Sequence, residues 1–207
     1  MLAKRLAVLV VPVLFLLSSV FAQVQVNELT VTSGLTFVST QTVPSTGLPI
    51  HFGNASGTVV ANYARLLKTY KIFGVRAEVP VSFGPGMNLN YAINQIPQSI
   101  DALFVTPSVR VNAFSADSVS PWVSLGGGYG HWRQSSTLVW GGPNPGPTST
   151  NTGVLQFGAG LDVWVWHRWG FRFEARDFYS GTPDLNVDTG RGRQHNYYVG
   201  VGGGYRF

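Results

Sequence analysis

The chain has 207 residues, no cysteine, 25 glycines, 44% apolar and 13% aromatic residues, and only 11% charged residues for a formal net charge of +5. With no thiol, a disulfide scaffold and a cysteine-ligated zinc site are excluded, and the apolar content excludes a disordered chain. A soluble domain carries ~25% charged residues, so the shortage of charge is the feature that needs a physical cause.

The chain opens with a basic start, Lys4 and Arg5, followed by an apolar run from Leu6 to Phe21 that is broken by Pro12 and by Ser18-Ser19. With Ala22 at its end, this is the pattern of a secretory signal peptide over residues 1–22, cut between Ala22 and Gln23, leaving 23–207 as one mature domain. The run is shorter than the ~20 residues a spanning helix needs. No cysteine follows it, which excludes lipoprotein-type attachment. Loss of Lys4 and Arg5 leaves 12 basic against 9 acidic residues, a net +3. After Ala22 no apolar stretch is long enough to cross a bilayer as a helix.

Eight stretches then alternate apolar with small or polar residues at the strand period of two. The first, Glu28–Val38, sets Leu29, Val31, Leu35 and Phe37 against threonines and Gly34. The second is Thr58–Leu67. The third, Lys71–Phe83, sets Phe73, Val75, Ala77, Val79 and Val81 against Gly74, Arg76, Glu78 and Ser82. In the fourth, Leu103–Ala113, valines at 105, 109 and 111 oppose Thr106, Ser108, Arg110 and Asn112. The fifth, Pro121–Trp132, is glycine-rich. The sixth, Val154–Val165, opposes Leu155, Phe157, Ala159, Leu161 and Val163 to Gln156, Gly158, Gly160 and Asp162. The seventh, Trp169–Phe178, opposes Trp169, Phe171, Phe173 and Ala175 to Arg172, Glu174 and Arg176; the eighth is Asn196–Phe207.

Stretches of ~10–13 residues exceed the ~5–6 of soluble strands and match the ~9–11 of tilted membrane strands. Their connections sort by length. Tight turns fall near 68–70, 114–120 and 166–168, whereas 39–57, 84–102, 133–153 and 179–195 are long and rich in proline, serine and asparagine. Short turns at one end and long loops at the other is the asymmetry of outer-membrane barrels. Aromatic spacing adds an expectation of two girdles. Trp169 to Phe178 spans ~30 Å of strand, or ~23 Å of height at a ~40° tilt, close to the ~25 Å apolar band of such barrels. Trp122 to Trp132, Phe104 to Phe114 and Tyr197 to Phe207 repeat the interval at ten residues, and Trp164, Trp166 and Trp169 gather at one tight turn.

The terminal strand Tyr197-Tyr198-Val199-Gly200-Val201-Gly202-Gly203-Gly204-Tyr205-Arg206-Phe207 and the stretch Phe173–Tyr179 resemble the eight-stranded outer-membrane β-barrel superfamily of the opacity and attachment type. The resemblance spans Val26–Phe207. It implies an all-β fold: an eight-stranded antiparallel transmembrane barrel with short periplasmic turns, four long extracellular loops and both termini in the periplasm of a diderm bacterium. It also implies that Tyr197, Val199, Val201, Tyr205 and Phe207 form the insertion signal read by the barrel-assembly machinery. Outer-membrane lipid and lipopolysaccharide are the implied surroundings, and a monomer the implied state.

The inward faces carry Arg76, Glu78, Arg110, Asp162, Arg172, Glu174, Arg176 and Arg206. An eight-stranded lumen is just wide enough for side chains to fill, and buried charges must be paired. These residues are therefore expected to form an interior network, with Glu174 between two arginines and Asp162 on the neighbouring strand; a selectivity filter is the functional alternative. A Ser/His/acid site would need one of His51, His131, His167 or His195 facing a serine and a carboxylate. His131 and His195 lack a serine two positions on, His51 and His195 read as solvated loop residues, and His167 falls in a tight turn. Gly126-Gly127-Gly128-Tyr129-Gly130 lies within a strand with no helix after it, so the nucleotide-loop reading fails. No cofactor, metal or nucleic-acid site is expected. Only Lys68 and Lys71 remain as lysines, while Arg191 and Arg193 stand in the last loop within reach of lipopolysaccharide phosphates. The function expected is a surface-exposed structural or adhesion-type barrel. A narrow channel or conduit for small apolar molecules is the second reading, and a lipid-A-modifying enzyme the third.

Overall fold

A sheet with one face apolar and the other small or polar can give the apolar face to lipid and shield the polar one only if it curls closed. The computed structural model describes residues 26–53, 55–115, 118–166 and 168–207; the expected leader with its cleavage point, and His167, lie outside the described residues. The strands are β1 (Asn27–Val38), β2 (Gln41–Thr42), β3 (Pro49–Ile50), β4 (Ser56–Tyr70), β5 (Phe73–Asn88) and β6 (Ser99–Val105), then β7 (Ser108–Ala113), β8 (Val119–Gln134), β9 (Ser149–Trp164), β10 (Trp169–Gly181), β11 (Arg193–Gln194) and β12 (Asn196–Arg206). Antiparallel pairing runs β1 to β4 to β5, on to β6 and β7, then to β8, β9, β10 and β12, and β12 pairs back onto β1 from Glu28↔Arg206 to Val38↔Asn196. The ring has eight staves, because β6 and β7 are one stave interrupted at Thr106-Pro107. Proline has no N–H to give the ladder, which accounts for the break.

The staves run further than the sequence pattern suggests at the long-loop end: the third extends to Asn88 and the fifth to Gln134. Polar runs that read as loops are strand there. The first tight turn is a two-residue hairpin at Lys71-Ile72, with Lys71 at φ 52°. It falls just after the expected 68–70.

The outward face is an apolar belt drawn from every stave. Val31, Val59, Val81, Val109, Val123, Phe157, Phe173 and Val199 are all exposed. Water-soluble monomers rarely expose contiguous apolar patches beyond a few hundred Å², so a closed apolar belt has lipid as its solvent. Among the described residues no helix is long and apolar enough to cross a membrane; this chain crosses with strands.

The girdle expectation needs correcting. Trp169 faces out and Phe178 faces in, 58% against 1% exposed. Nine is an odd interval, and the pleat places residues an odd number apart on opposite faces. The ten-residue interval keeps one face, but for Trp122 and Trp132 that face is the lumen, and Phe104 is buried there too. Trp164 also turns inward, its indole 3.6 Å from the Arg206 guanidinium. Only Tyr197 and Phe207 keep both ends of the interval on the lipid side.

The long loops fold over the barrel mouth. β2 and β3 form a small hairpin in the first. His51 and Asn90 exchange backbone hydrogen bonds between the first and second loops, Val139 donates to Ile96 between third and second, and Asn186 of the fourth donates to Gln95. Beneath this lid Val43, Ile50, Phe52, Leu89, Tyr91, Ile96 and Leu185 are buried in one cluster with Phe104, Trp132 and Phe178 of the staves.

Candidate functional site

Arg76, Glu78, Arg110, Asp162, Arg172, Glu174 and Arg176 all face the lumen, are buried, and meet in one network with Arg206. Its hub is a residue that the sequence reading left out, Glu28 on β1. The Glu28 carboxylate accepts from Arg110 Nη2 at 2.6 Å, Arg172 Nη2 at 2.5 Å and Arg206 Nε at 3.3 Å, and Arg76 Nη1 lies 3.9 Å away. Its phase was legible, since Glu28 shares the face of Thr30, Thr32 and Thr36. Its position at the start of the strand disguised it.

The other carboxylates divide the remaining arginines. Asp162 takes Arg172 in a fork, Nε at 2.7 Å and Nη2 at 2.9 Å. Glu78 accepts from Arg176 Nη1 at 3.0 Å, Ser108 Oγ at 3.0 Å and Asn62 Nδ2 at 3.0 Å. Glu174 departs from expectation. It bonds Arg176 Nε at 3.0 Å and the Thr32 hydroxyl, whereas Arg172, two residues away on the same strand, turns to Asp162 and Glu28. Bidentate arginine–carboxylate pairs add geometry as well as energy, and two better-placed acids outbid Glu174 for Arg172.

Trp122 sits amid the network. Its indole N–H donates to Asp162 Oδ1 at 3.1 Å, and the guanidinium carbons of Arg110, Arg172 and Arg176 lie 5.6, 5.0 and 5.1 Å from its ring. Such distances put all three within cation–π range of one ring. Gly160 on β9 makes the room, because a Cβ there would fall on the Trp122 ring and on the Phe173 carbonyl of the neighbouring strand. Glycine thus makes room for a large neighbour at this point of the wall, while at Gly126 and Gly128 a side chain would strike the backbone at the Thr106-Pro107 break.

Above the charged layer the lumen is apolar. Phe104 meets Trp132 edge-on at 5.2 Å and Phe178 at 5.4 Å, and Trp132 Nε1 is satisfied by the Gly181 carbonyl at 3.1 Å. The cavity left between them and Thr36, Thr58 and Ser82 is about 10 Å³, at the lower limit for a single water. Chemically, the interior is a filled core of ion pairs below and rings above.

The three described histidines, His51, His131 and His195, lie on the outside or at the rim. His195 is not simply solvated: Nδ1 is 2.7 Å from Asp177 Oδ2, and its ring stacks on Tyr197 at 5.4 Å and near Tyr179 at 4.7 Å. His131 Nδ1 is 2.7 Å from Asn151 Oδ1, and His51 Nδ1 is 3.2 Å from Thr40 Oγ1. Among the described residues no histidine is hydrogen-bonded to a serine, and no group of three His, Asp or Glu side chains is placed to hold a metal. Tyr197, Val199, Val201 and Phe207 are exposed on the lipid face of β12 and its end, and Tyr205 on the same face is part-buried, packed 4.7 Å from Trp169.

No family model matches the sequence, and no curated protein matches it. Solved structures do. Neisserial surface protein A superposes with a TM-score of 0.51 at 9% identity, over 87% of this chain and 97% of that one. Ail, the attachment invasion locus protein of Yersinia pestis, gives 0.50 at 15% identity over 87% and 97%. The outer membrane protein OprG from Pseudomonas aeruginosa gives 0.52 at 11% over 89% and 99%. At such identities the likeness is one of fold, and the fold is the eight-stranded outer-membrane barrel.

Proposed function

We propose that, in the outer membrane of a diderm bacterium, this chain is a non-enzymatic, monomeric barrel with a closed lumen, and that its working surface is the extracellular lid of four loops. Its role is of the structural or adhesion type. The observation that carries this reading is the filling of the lumen, by the Glu28-centred ion pairs in one layer and by Phe104, Trp132 and Phe178 in the next. A pore would need those charges separated by water. Here they are spent on one another.

The apolar upper lumen is what a conduit for small apolar molecules would require, which keeps that reading second. It demands that Phe104, Trp132 and the loop lid move together. Planar bilayers decide: the closed barrel gives no unitary conductance steps, and reproducible steps from pure protein overturn the proposal. Lipopolysaccharide surrounds the rim in this reading, and the Tyr197-to-Phe207 edge of β12 serves as the signal for the barrel-assembly machinery.

A further inference from the structure

Trp140 and Trp166 are the most exposed tryptophans of the described residues, at 65% and 66%. Trp166 stands at the short-turn end near Trp169, where an aromatic meets the membrane interface. Trp140 has no such reason. It lies on the third loop, six positions past the end of β8, at the pole facing away from lipid.

The loop holds this ring still. The Trp140 backbone N–H donates to Asn94 Oδ1 at 2.9 Å, and the indole N–H to the Tyr91 carbonyl at 3.1 Å. Asn94 Nδ2 donates to the Gly141 carbonyl at 3.0 Å. Gly141 and Gly142, at φ 96° and 91°, turn the chain sharply behind it, a conformation open to glycine. With its only polar atom satisfied, the indole presents a bare, preorganised face, and fixing a side chain beforehand lowers the entropic cost of binding.

That face borders an open cleft of about 470 Å³ among the first three loops, lined also by Asn88, Asn90, Gln98, Leu89 and Val139. The size is that of a small-ligand site. Among the described residues no charged side chain lines it. Asn88 and Asn90 have no side-chain hydrogen bond among the described residues, and the Gln98 carboxamide accepts only from Thr137 Oγ1, at 3.1 Å. Each carboxamide both donates and accepts, so three of them suit a ligand whose groups do the same, which is the property of hydroxyls. An aromatic plate suits a flat C–H face. Neutral charge, amide forks and one indole plate together specify an uncharged pyranose.

We propose that the cleft beside Trp140 binds a neutral saccharide, one pyranose unit stacked on the indole with its hydroxyls on Asn88, Asn90 and Gln98. The proposal rests on the loops being the outward working end and names the class of ligand met there. The test is saturation-transfer NMR on the full barrel folded in a zwitterionic, not sugar-headed, detergent. The probes are the methyl glycosides of glucose, galactose, mannose and N-acetylglucosamine, with lactose, cellobiose and chitobiose, and a sulfated disaccharide as the charged comparison. At least one receives transfer, Trp140→Ala weakens it at least about tenfold, as loss of an aromatic anchor does, and Trp140→Phe retains part of it. Asn90→Ala gives a second loss without touching the ring. Trp166→Ala leaves binding unchanged, and altered gel mobility on boiling shows that each variant is folded. No transfer to any neutral sugar, transfer only to a sulfated disaccharide, or equal binding by Trp140→Ala overturns it. None of these outcomes bears on the closed lumen, which conductance tests separately.

Discussion

Glu28→Gln replaces the hub of the lumen with an amide of the same shape. In the native interior five arginines, at 76, 110, 172, 176 and 206, face four carboxylates, at 28, 78, 162 and 174, all buried. The substitution leaves five against three and turns an N–H₂ toward guanidinium groups that stood 2.5 to 3.9 Å from a carboxylate. Breaking a buried ion pair by removing one partner costs about 3–5 kcal/mol, or roughly two to four decades in the folding equilibrium. Denaturant titration of the barrel in micelles, read by tryptophan fluorescence and by gel mobility, measures it. Arg76 supplies the internal control, because among the described residues its Nε and Nη1 have no hydrogen-bond partner and its only ion-pair contact is the 3.9 Å approach to Glu28. Arg76→Gln alone shifts stability by less than about 1 kcal/mol, and added to Glu28→Gln it restores at least about 1 kcal/mol by removing the unpaired charge, a coupling of the size neighbouring charges show. A Glu28→Gln protein within 1 kcal/mol of the parent, or a double variant worse than the sum of the singles, refutes the hub.

Gly160→Ala pushes a methyl into both the Phe173 carbonyl and the Trp122 ring and lowers the unfolding free energy by the about 1–3 kcal/mol of an overpacked core; a neutral result means that neither the ring nor the neighbouring strand is tightly packed there. Phe173→Arg places a charge on the lipid face four residues in from Trp169. It costs about 2–4 kcal/mol, whereas Val119→Arg, at the short-turn end of β8, costs at most about 1; equal costs in vesicle-refolded protein would argue against lipid outside. Phe207→Ala lowers the amount assembled in cells while refolding in detergent keeps its yield, and equal loss in both settings would assign Phe207 to stability alone.

Strand phase carried most of what could be read in advance. Alternation in 169–178 placed Arg172, Glu174 and Arg176 on one face and Phe171 and Phe173 on the other, as the barrel has them. Period two fixes which residues share a face, but not which face lipid takes when both carry aromatics, and that is where Trp122, Trp132 and Phe104 went astray. Partner choice was less legible still. Arg172 bonds Glu28, 144 residues away, in preference to Glu174 beside it, and only register around a closed ring decides such a pairing. The loops read as polar tips because proline, glycine and asparagine dominate them; Ile50, Phe52, Leu89, Tyr91 and Ile96 were the signal of a buried lid, spaced too irregularly for a periodic pattern.

Glu28 and Arg206 stand opposite each other across the seam, 178 residues apart, and the partners of Glu28 come from β5, β7, β10 and β12. An emerging chain therefore leaves the partners of this first-stave carboxylate incomplete until its last two staves bring Arg172 and Arg206. A half-built barrel that sheds its internal water leaves that carboxylate with Arg110 and Arg76 alone, and burial of an incompletely paired charge is costly, so drying of the interior favours closure of the ring. The same residue that anchors the finished core thus ties its own full pairing to the closing of the seam.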